Sequence, residues 1–197
     1  MPLPPFTSPT AFPTFATLPT PQDPDPTSPD GGGDEPWYLL AEIKDDMTIT
    51  KPTLVCLDRA GSPFALVFDG LERDGLDLKA LGLRKGACVV VPRARRTPPK
   101  DASKRGFVSV ARGTAAEVRA VPAPLRTVVE VAEGLRAQGP QPGCAGCGSA
   151  EGALARCTGC GGVRYCSKAC QVKGWSEGGH KGDCKVIKAI RGIWGDE

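Results

Sequence analysis

The chain has 197 residues, a formal net charge of +3 and 40% hydrophobic residues, which leaves room for one ordinary domain and a small module but excludes a large multidomain enzyme. No stretch approaches the roughly 18 to 20 apolar residues that a bilayer span requires, so we expect no membrane partner. The amino terminus has no basic residue before Lys44 and no compact apolar run, unlike a secretory signal. We therefore expect an intracellular protein, nuclear, cytoplasmic or both.

Residues 1–36 form a proline-rich tail. They contain eleven of the twenty prolines and have a net charge of −5, without any Lys or Arg. Such a composition buries too little apolar surface to offset the entropy lost on ordering, which predicts a disordered tail. Phe6, Phe12 and Phe15 are its exceptions. Spaced aromatics of this kind indicate either a docking segment or a solubilising tail, and we favour the second interpretation.

Residues 37–138 have the pattern of a small β-rich domain with a carboxy-terminal helix. Short apolar runs between turn residues predict strands at 37–43, 53–57, 64–68, 87–91, 107–110 and 116–121. Residues 76–83 predict one short helix, and 125–138 predict an amphipathic helix that packs on the strands. The chain is thus expected to be α+β, with a mostly antiparallel sandwich or partly open barrel.

A basic segment lies between two of the predicted strands. Its members are Arg93, Arg95, Arg96, Lys100, Lys104 and Arg105. A loop of this kind is able to contact phosphate or to act as a nuclear import signal. Solvated and mobile loops are the commoner structure for such a sequence, and we favour that interpretation.

A linker at residues 139–143 separates this domain from a cysteine-rich module, because its two prolines and two glycines mark a boundary. Seven of the nine cysteines and the single histidine then form four pairs: Cys144 and Cys147, Cys157 and Cys160, Cys166 and Cys170, His180 and Cys184. A reducing compartment disfavours disulfides, so these pairs indicate metal ligands. Cys56 and Cys88 stand in strand-like apolar runs and are expected to be buried thiols.

Eight ligands complete two tetrahedral zinc sites, since Zn²⁺ suits closed sites of thiolate and imidazole. A gap of two residues allows a tight turn, for which Gly146, Gly159 and Gly161 supply a permissive backbone. A gap of three residues places partners one helical turn apart, which predicts helices at 166–175 and 180–190. Spacing alone leaves open whether consecutive or interleaved pairs share an ion. Eight ligands on two four-coordinate ions leave no coordination position for water, which argues against catalytic zinc.

Residues 144–184, with Tyr165, Ser167-Lys168 and Trp175, resemble the MYND-type zinc finger. The resemblance implies interleaved ligation: Cys144, Cys147, Cys166 and Cys170 hold one zinc, and Cys157, Cys160, His180 and Cys184 hold the other. The arrangement is also similar to fungal proteins in which a small β domain precedes a single carboxy-terminal finger. We expect the finger to extend over residues 144–194, with Tyr165, Trp175 and Trp194 as its small apolar complement.

As a family, MYND fingers bind short proline-containing peptides, so the resemblance implies a zinc-binding protein that mediates protein–protein interaction, as an adaptor or transcription-related cofactor. Binding to the chain's own proline-rich tail is conceivable, although that tail contains no known recognition motif. The alternative is a nucleic-acid-binding protein that uses the β domain and the basic segment. Some MYND fingers accompany a methyltransferase domain, but this chain has no cofactor-binding glycine loop and no second histidine, so we expect no enzyme.

Overall fold

A computed structural model describes residues 3–23, 36–99, 101, 105–139 and 143–195. The chain divides into two compact units. The β unit is Thr7–Arg126, and the finger unit is Thr127–Glu197 together with Met1–Phe6. Among the described residues, no helix combines the length and the apolar character that crossing a membrane requires.

Over its described residues, the β unit is built on one seven-stranded sheet. In chain order the strands are β1 (Tyr38–Asp46), β2 (Thr53–Asp58), β3 (Pro63–Asp69), β4 (Cys88–Pro92), β5 (Arg96–Thr97), β6 (Phe107–Ala111) and β7 (Arg119–Val121). Their order across the sheet is β5-β6-β3-β2-β1-β4-β7. Neighbours are antiparallel except β3 and β6, which are parallel. The mostly antiparallel β domain is confirmed, as a single sheet rather than a sandwich.

One face of the sheet holds the core of the β unit. Along β2 and β3 buried side chains alternate with half-buried ones, as the two-residue period of a strand requires. Leu54 and Leu66 join Ile43 of β1 in the buried cluster. Cys56 and Cys88 are buried free thiols, as predicted. Burial raises the pKa of Cys56 to about 12 and raises that of Cys88 as well, so both remain protonated at neutral pH.

The proline-rich segment is ordered over residues 3–23, which corrects the prediction of a disordered tail. In the β unit, Phe12, Phe15 and Leu18 are buried. The Phe15 ring stacks on Phe64 with centroids 4.8 Å apart, and the Phe15 N–H donates to the buried Asp58 carboxylate at 2.7 Å. The overall composition of the segment predicts disorder, but it does not show the effect of individual residues. A few aromatic side chains that are buried against the sheet are enough to order the segment. Residues 24–35 lie outside the described part of the chain.

The basic segment is ordered where the structure describes it, which corrects the expectation of a solvated loop. The Arg95 guanidinium donates to the carbonyls of Thr20 and Asp23, at 2.9 Å and 3.0 Å. The Arg96 guanidinium lies over the Phe15 ring, 5.9 Å from its centroid. These arginines therefore fasten the amino-terminal segment to the sheet. Lys100 and Lys104 lie outside the described residues.

Two predicted elements of the β unit differ in the structure. Residues 76–83 form turns instead of a helix. The Asp77 carboxylate caps the first turn by accepting the N–H of Ala80 at 2.9 Å, but Gly82, with a φ of +71°, ends it after that single turn. The predicted strand at 116–121 is shortened to β7, since a 3-10 helix occupies Arg112–Glu117.

The amphipathic helix α1 (Leu125–Ala137) is confirmed. From Thr127 onward it belongs to the finger unit, whereas the sequence predicts it as the last element of the β domain. The reason lies in its apolar face, because Val131 and Leu135 pack against the apolar cluster of the finger. Of the predicted linker at 139–143, residues 140–142 lie outside the described chain.

Candidate metal centres

The finger consists of a short hairpin followed by two helices. Strands β8 (Ala155–Arg156) and β9 (Arg164–Tyr165) pair in antiparallel fashion, and helices α2 (Lys168–Ser176) and α3 (His180–Trp194) follow. Both helices were predicted. The first begins two residues later than expected because Ser167 is its N-cap, and its hydroxyl accepts the N–H of Cys170 at 3.2 Å.

Each of the two Cys-x-x-Cys pairs lies in a tight turn that is closed by the glycine after it. The N–H of Gly148 donates to the carbonyl of Cys144 at 2.7 Å, and the N–H of Gly161 donates to that of Cys157 at 2.8 Å. Both glycines have a positive φ, +78° and +67°, which a residue with a side chain rarely adopts. The sequence pattern predicts a permissive backbone at Gly161 but not at Gly148, although both glycines directly follow the second cysteine of a pair.

Gly146 has a different role, which is close approach of two chain segments. A Cβ atom at this position would lie 2.6 Å from both the Cβ and the carbonyl oxygen of Cys170. We predict that Gly146→Ala destabilises the finger by about 1–3 kcal/mol, because such overpacking forces the backbone to shift. The measurement is the rate at which a chromophoric chelator removes zinc, which should rise.

The matched control for Gly146→Ala is Gly182→Ala. Gly182 lies in α3, where an added Cβ meets nothing within 4 Å. Alanine at this helical position should be neutral or stabilising by up to about 1 kcal/mol. Equal rates of zinc release from the two variants would show that the approach of Gly146 to Cys170 is not needed.

The first cluster comprises Cys144, Cys147, Cys166 and Cys170, whose sulfurs all lie within 4.8 Å of one another. The Sγ of Cys166 is 3.7 Å from that of Cys147 and 3.5 Å from that of Cys170. A tetrahedron with Zn–S distances of about 2.3 Å has S···S edges of about 3.8 Å. The four sulfurs therefore have the spacing that a zinc ion requires, and none of these cysteines forms a disulfide.

The second cluster comprises Cys157, Cys160, His180 and Cys184, again with all ligand atoms within 4.8 Å. The Nε2 of His180 lies 3.3 Å from the Sγ of Cys157 and 3.7 Å from that of Cys160. The sulfurs of Cys157 and Cys184 are 3.9 Å apart. A buried imidazole whose nitrogen faces three sulfurs fits a zinc site of three thiolates and one histidine.

The ligand pairs interleave along the chain. The first and third pairs share one cluster, and the second and fourth pairs share the other. All eight predicted ligands are thus brought together in the arrangement that the resemblance implied, and the two clusters fit two zinc ions. Because each ion would hold segments distant in sequence, the two sites brace the finger across its length.

Hydrogen bonds favour a thiolate in each cluster. The N–H groups of Cys166 and Gly146 both lie 3.4 Å from the Cys144 sulfur and lower the pKa of that thiol to about 6. Burial raises the pKa of Cys157, but its hydrogen bond with His180 and nearby N–H groups outweigh burial and lower the pKa to about 6. Zinc binds the deprotonated thiol, so these bonds favour metal uptake.

The remaining thiols include two whose pKa shifts in the opposite direction. A hydrogen bond with the Cys170 sulfur contributes most to raising the pKa of Cys166 to about 12. Burial is the main cause that raises the pKa of Cys184 to about 12. Zinc binding must displace these protons, so loading the finger releases protons to solvent.

Aromatic side chains surround the second cluster. The rings of Tyr165 and Trp175 meet the His180 ring edge-on, with centroids 6.2 Å and 5.6 Å away. Tyr165 and Trp194 are buried, as predicted for the apolar complement of the finger. Trp175 remains 40% exposed. It therefore packs against a ligand on one side and faces solvent on the other.

Two closed four-ligand sites on interleaved pairs define a structural zinc finger. Residues 144–184 match the family model of the MYND finger, so the chain contains a MYND zinc finger. The match covers about a fifth of the chain, and the whole β unit lies outside it. A comparison with curated proteins found no match.

Proposed function

We propose that this protein is a non-enzymatic adaptor or transcription-related cofactor whose MYND finger binds a proline-containing segment of a partner protein. The MYND finger is a non-catalytic zinc-binding module that commonly mediates protein–protein interaction. The observation that supports binding over catalysis is the ligand set: four side chains fill each site. Hydrolytic zinc keeps one position for water or substrate.

The partner surface that we propose is the exposed face of α2. Val172 is 59% exposed and Trp175 is 40% exposed, and residues three apart lie on the same face of a helix. Prolines lose little entropy on docking, so proline-containing segments commonly bind to aromatic surfaces. The contact between Trp175 and the His180 ring would hold this aromatic anchor in place once zinc is bound.

Val172→Glu tests this surface directly. We expect it to weaken binding to a panel of immobilised proline-containing peptides by roughly tenfold or more, because it places a charge at the centre of the apolar contact. The zinc content should stay at two ions per chain, since Val172 is not a ligand.

The matched control is Ile49→Glu, the same kind of substitution at an apolar residue of the β unit that is 73% exposed. This variant should bind the peptides as the unmodified protein does. The proposal is wrong if no peptide in the panel binds the zinc-loaded protein, or if Val172→Glu binds as tightly as Ile49→Glu.

An intracellular location, nuclear, cytoplasmic or both, is part of this proposal. Its support is the chemistry of the ligands, because thiolate sites and buried free thiols suit a reducing compartment. Imaging of the tagged full-length protein in cells tests it, and secretion into the medium would contradict it.

Nucleic-acid binding through the basic segment has less support. Arg95 and Arg96 contact the amino-terminal segment, and Arg93 forms an ion pair with Glu117 at 3.2 Å. A phosphate backbone would have to replace these interactions. Affinity for oligonucleotides that falls steeply with salt would favour this alternative.

A further inference from the structure

The first described residues of the chain lie on the finger unit, at the carboxy-terminal ends of α1 and α3. Phe6 is fully buried, and its ring meets that of Trp194 edge-on at 4.8 Å. Trp194 is the last residue of α3. In the last turn of α1, the Nε of Arg136 donates to the carbonyl of Leu3 at 3.2 Å. The segment therefore has one apolar anchor and one polar anchor.

The sequence of this segment, Leu3-Pro4-Pro5-Phe6, shows what chemistry the site accepts. Prolines fix their own φ and have no N–H, so the backbone of this stretch offers mainly carbonyls, and Arg136 supplies a donor for one of them. A segment stiffened by prolines loses little entropy on docking. The edge-to-face geometry of Phe6 and Trp194 is a favoured arrangement for two aromatic rings.

The receptor side of the contact is built on helices rather than on the segment. Arg136 forms an ion pair with Glu133, one turn earlier in α1, at 2.8 Å. This pair limits the positions that the guanidinium adopts. Trp194 ends a helix whose first residue is the zinc ligand His180. Both anchoring side chains, Arg136 and Trp194, therefore lie on helices, α1 and α3, that are also held by interactions outside the amino-terminal segment.

We propose that the carboxy-terminal ends of α1 and α3 form a peptide-binding site for an aromatic residue preceded by prolines. In this chain, its own residues 3–6 occupy the site. A partner segment of the same chemistry binds there when the amino terminus leaves. The site is distinct from the α2 surface proposed above and does not depend on it. A tethered segment acts at an effective concentration on the order of millimolar, so the chain's own segment keeps weak competitors out.

The test compares the full chain with a variant that lacks residues 1–6, and its probe is a fluorescein-labelled peptide of residues 1–7 of this chain. The truncated protein should bind the peptide, with a Kd on the order of 10–100 µM. The full chain should bind it at least about tenfold more weakly, because its own segment competes for the site. Fluorescence anisotropy measures both affinities.

Two controls assign binding to the proposed contacts. A peptide with Phe6→Ala should lose most of its affinity for the truncated protein, and Arg136→Ala in the truncated protein should weaken binding of the unmodified peptide about tenfold. Where truncation prevents folding, the full chain with Phe6→Ala replaces it, because that variant keeps the chain and removes the apolar anchor. The same gain of peptide binding is expected.

Three results would overturn the proposal. The first is no peptide binding by a variant that retains two zinc ions and its helical circular dichroism. The second is equal affinity for the full chain and the variant. The third is undiminished binding of the Phe6→Ala peptide. If the segment has a purely structural role, the folded variant should not bind the peptide, and the truncated protein should have a lower melting temperature.

Discussion

Removing zinc with a chelator is expected to unfold the finger while the β unit stays folded. Apart from four ligand cysteines, the buried members of the finger cluster are Val163, Tyr165 and Ile187, and α3 also buries Val186, Ile190 and Trp194. Burial of six such side chains stabilises by about 1.5–3 kcal/mol each, which is small beside the entropy cost of ordering the finger, about 1–2 kcal/mol for each residue. A structural zinc site contributes about 10–16 kcal/mol in isolated finger peptides. Zinc is therefore the main source of stability for this module.

The β unit should respond differently, because its stability does not come from metal. Its core is a large cluster drawn from several strands of the sheet, and it contains no zinc ligand. Hydrogen exchange followed by mass spectrometry separates the two units in one experiment. After chelation, peptides from residues 144–195 should lose protection, whereas peptides from residues 38–92 should keep it.

A pair of cysteine variants provides the matched control for chelation. Cys166→Ser removes one ligand of the first cluster and should lower the zinc content from two ions to about one. Cys56→Ala removes a buried thiol of the β unit that belongs to neither cluster, so its zinc content should stay at two. Protection that survives chelation across the finger, or unchanged zinc in Cys166→Ser, would contradict the role given to zinc.

Phe15→Ala is expected to lower the free energy of unfolding of the β unit by about 3–5 kcal/mol, the usual cost of truncating a buried Phe. Phe15 belongs to the core cluster of the sheet and stacks on Phe64. Its truncation would leave a cavity in that core. The alanine also weakens the contact that the Arg96 guanidinium makes with the ring.

Hydrogen exchange of peptides from residues 38–92, followed at increasing urea concentration, measures this effect for the β unit alone. The matched control is Ile49→Ala, because Ile49 is the most exposed of the large apolar residues described, and its truncation should change stability by less than about 0.5 kcal/mol. A disordered tail predicts that Phe15→Ala behaves like this control. That outcome would mean that the amino-terminal segment is not part of the β unit.

The zinc ligands and their local structure could be predicted because the information is short-range. A gap of two or three residues fixes whether a pair lies in a turn or on one face of a helix, and the turns and helices of the finger follow that rule. Spacing could not show which pairs of ligands share one zinc ion. Cys144 and Cys170 belong to the same cluster although another ligand pair lies between them in the sequence, and only the family resemblance indicated this interleaved arrangement.

The amino-terminal segment shows the opposite case. Its composition is typical of disorder, yet Phe6, Phe12 and Phe15 are all buried. What orders Phe15 is the Phe64 ring and the Asp58 carboxylate, which are distant in sequence. The parallel pairing of β3 with β6 also joins segments that are distant in sequence. The pattern of apolar residues therefore predicted that these strands exist, but not which strands are neighbours in the sheet.

The coordination of zinc in the purified protein is the most direct test, and X-ray absorption at the zinc edge measures it together with the metal content. Seven cysteines and one histidine on two ions predict an average of 3.5 sulfurs and 0.5 nitrogen per zinc, with Zn–S distances of about 2.3 Å. Two zinc ions per chain with that shell are the expected result. A single ion, or a shell rich in oxygen at about 2.0–2.2 Å, would contradict the two closed sites.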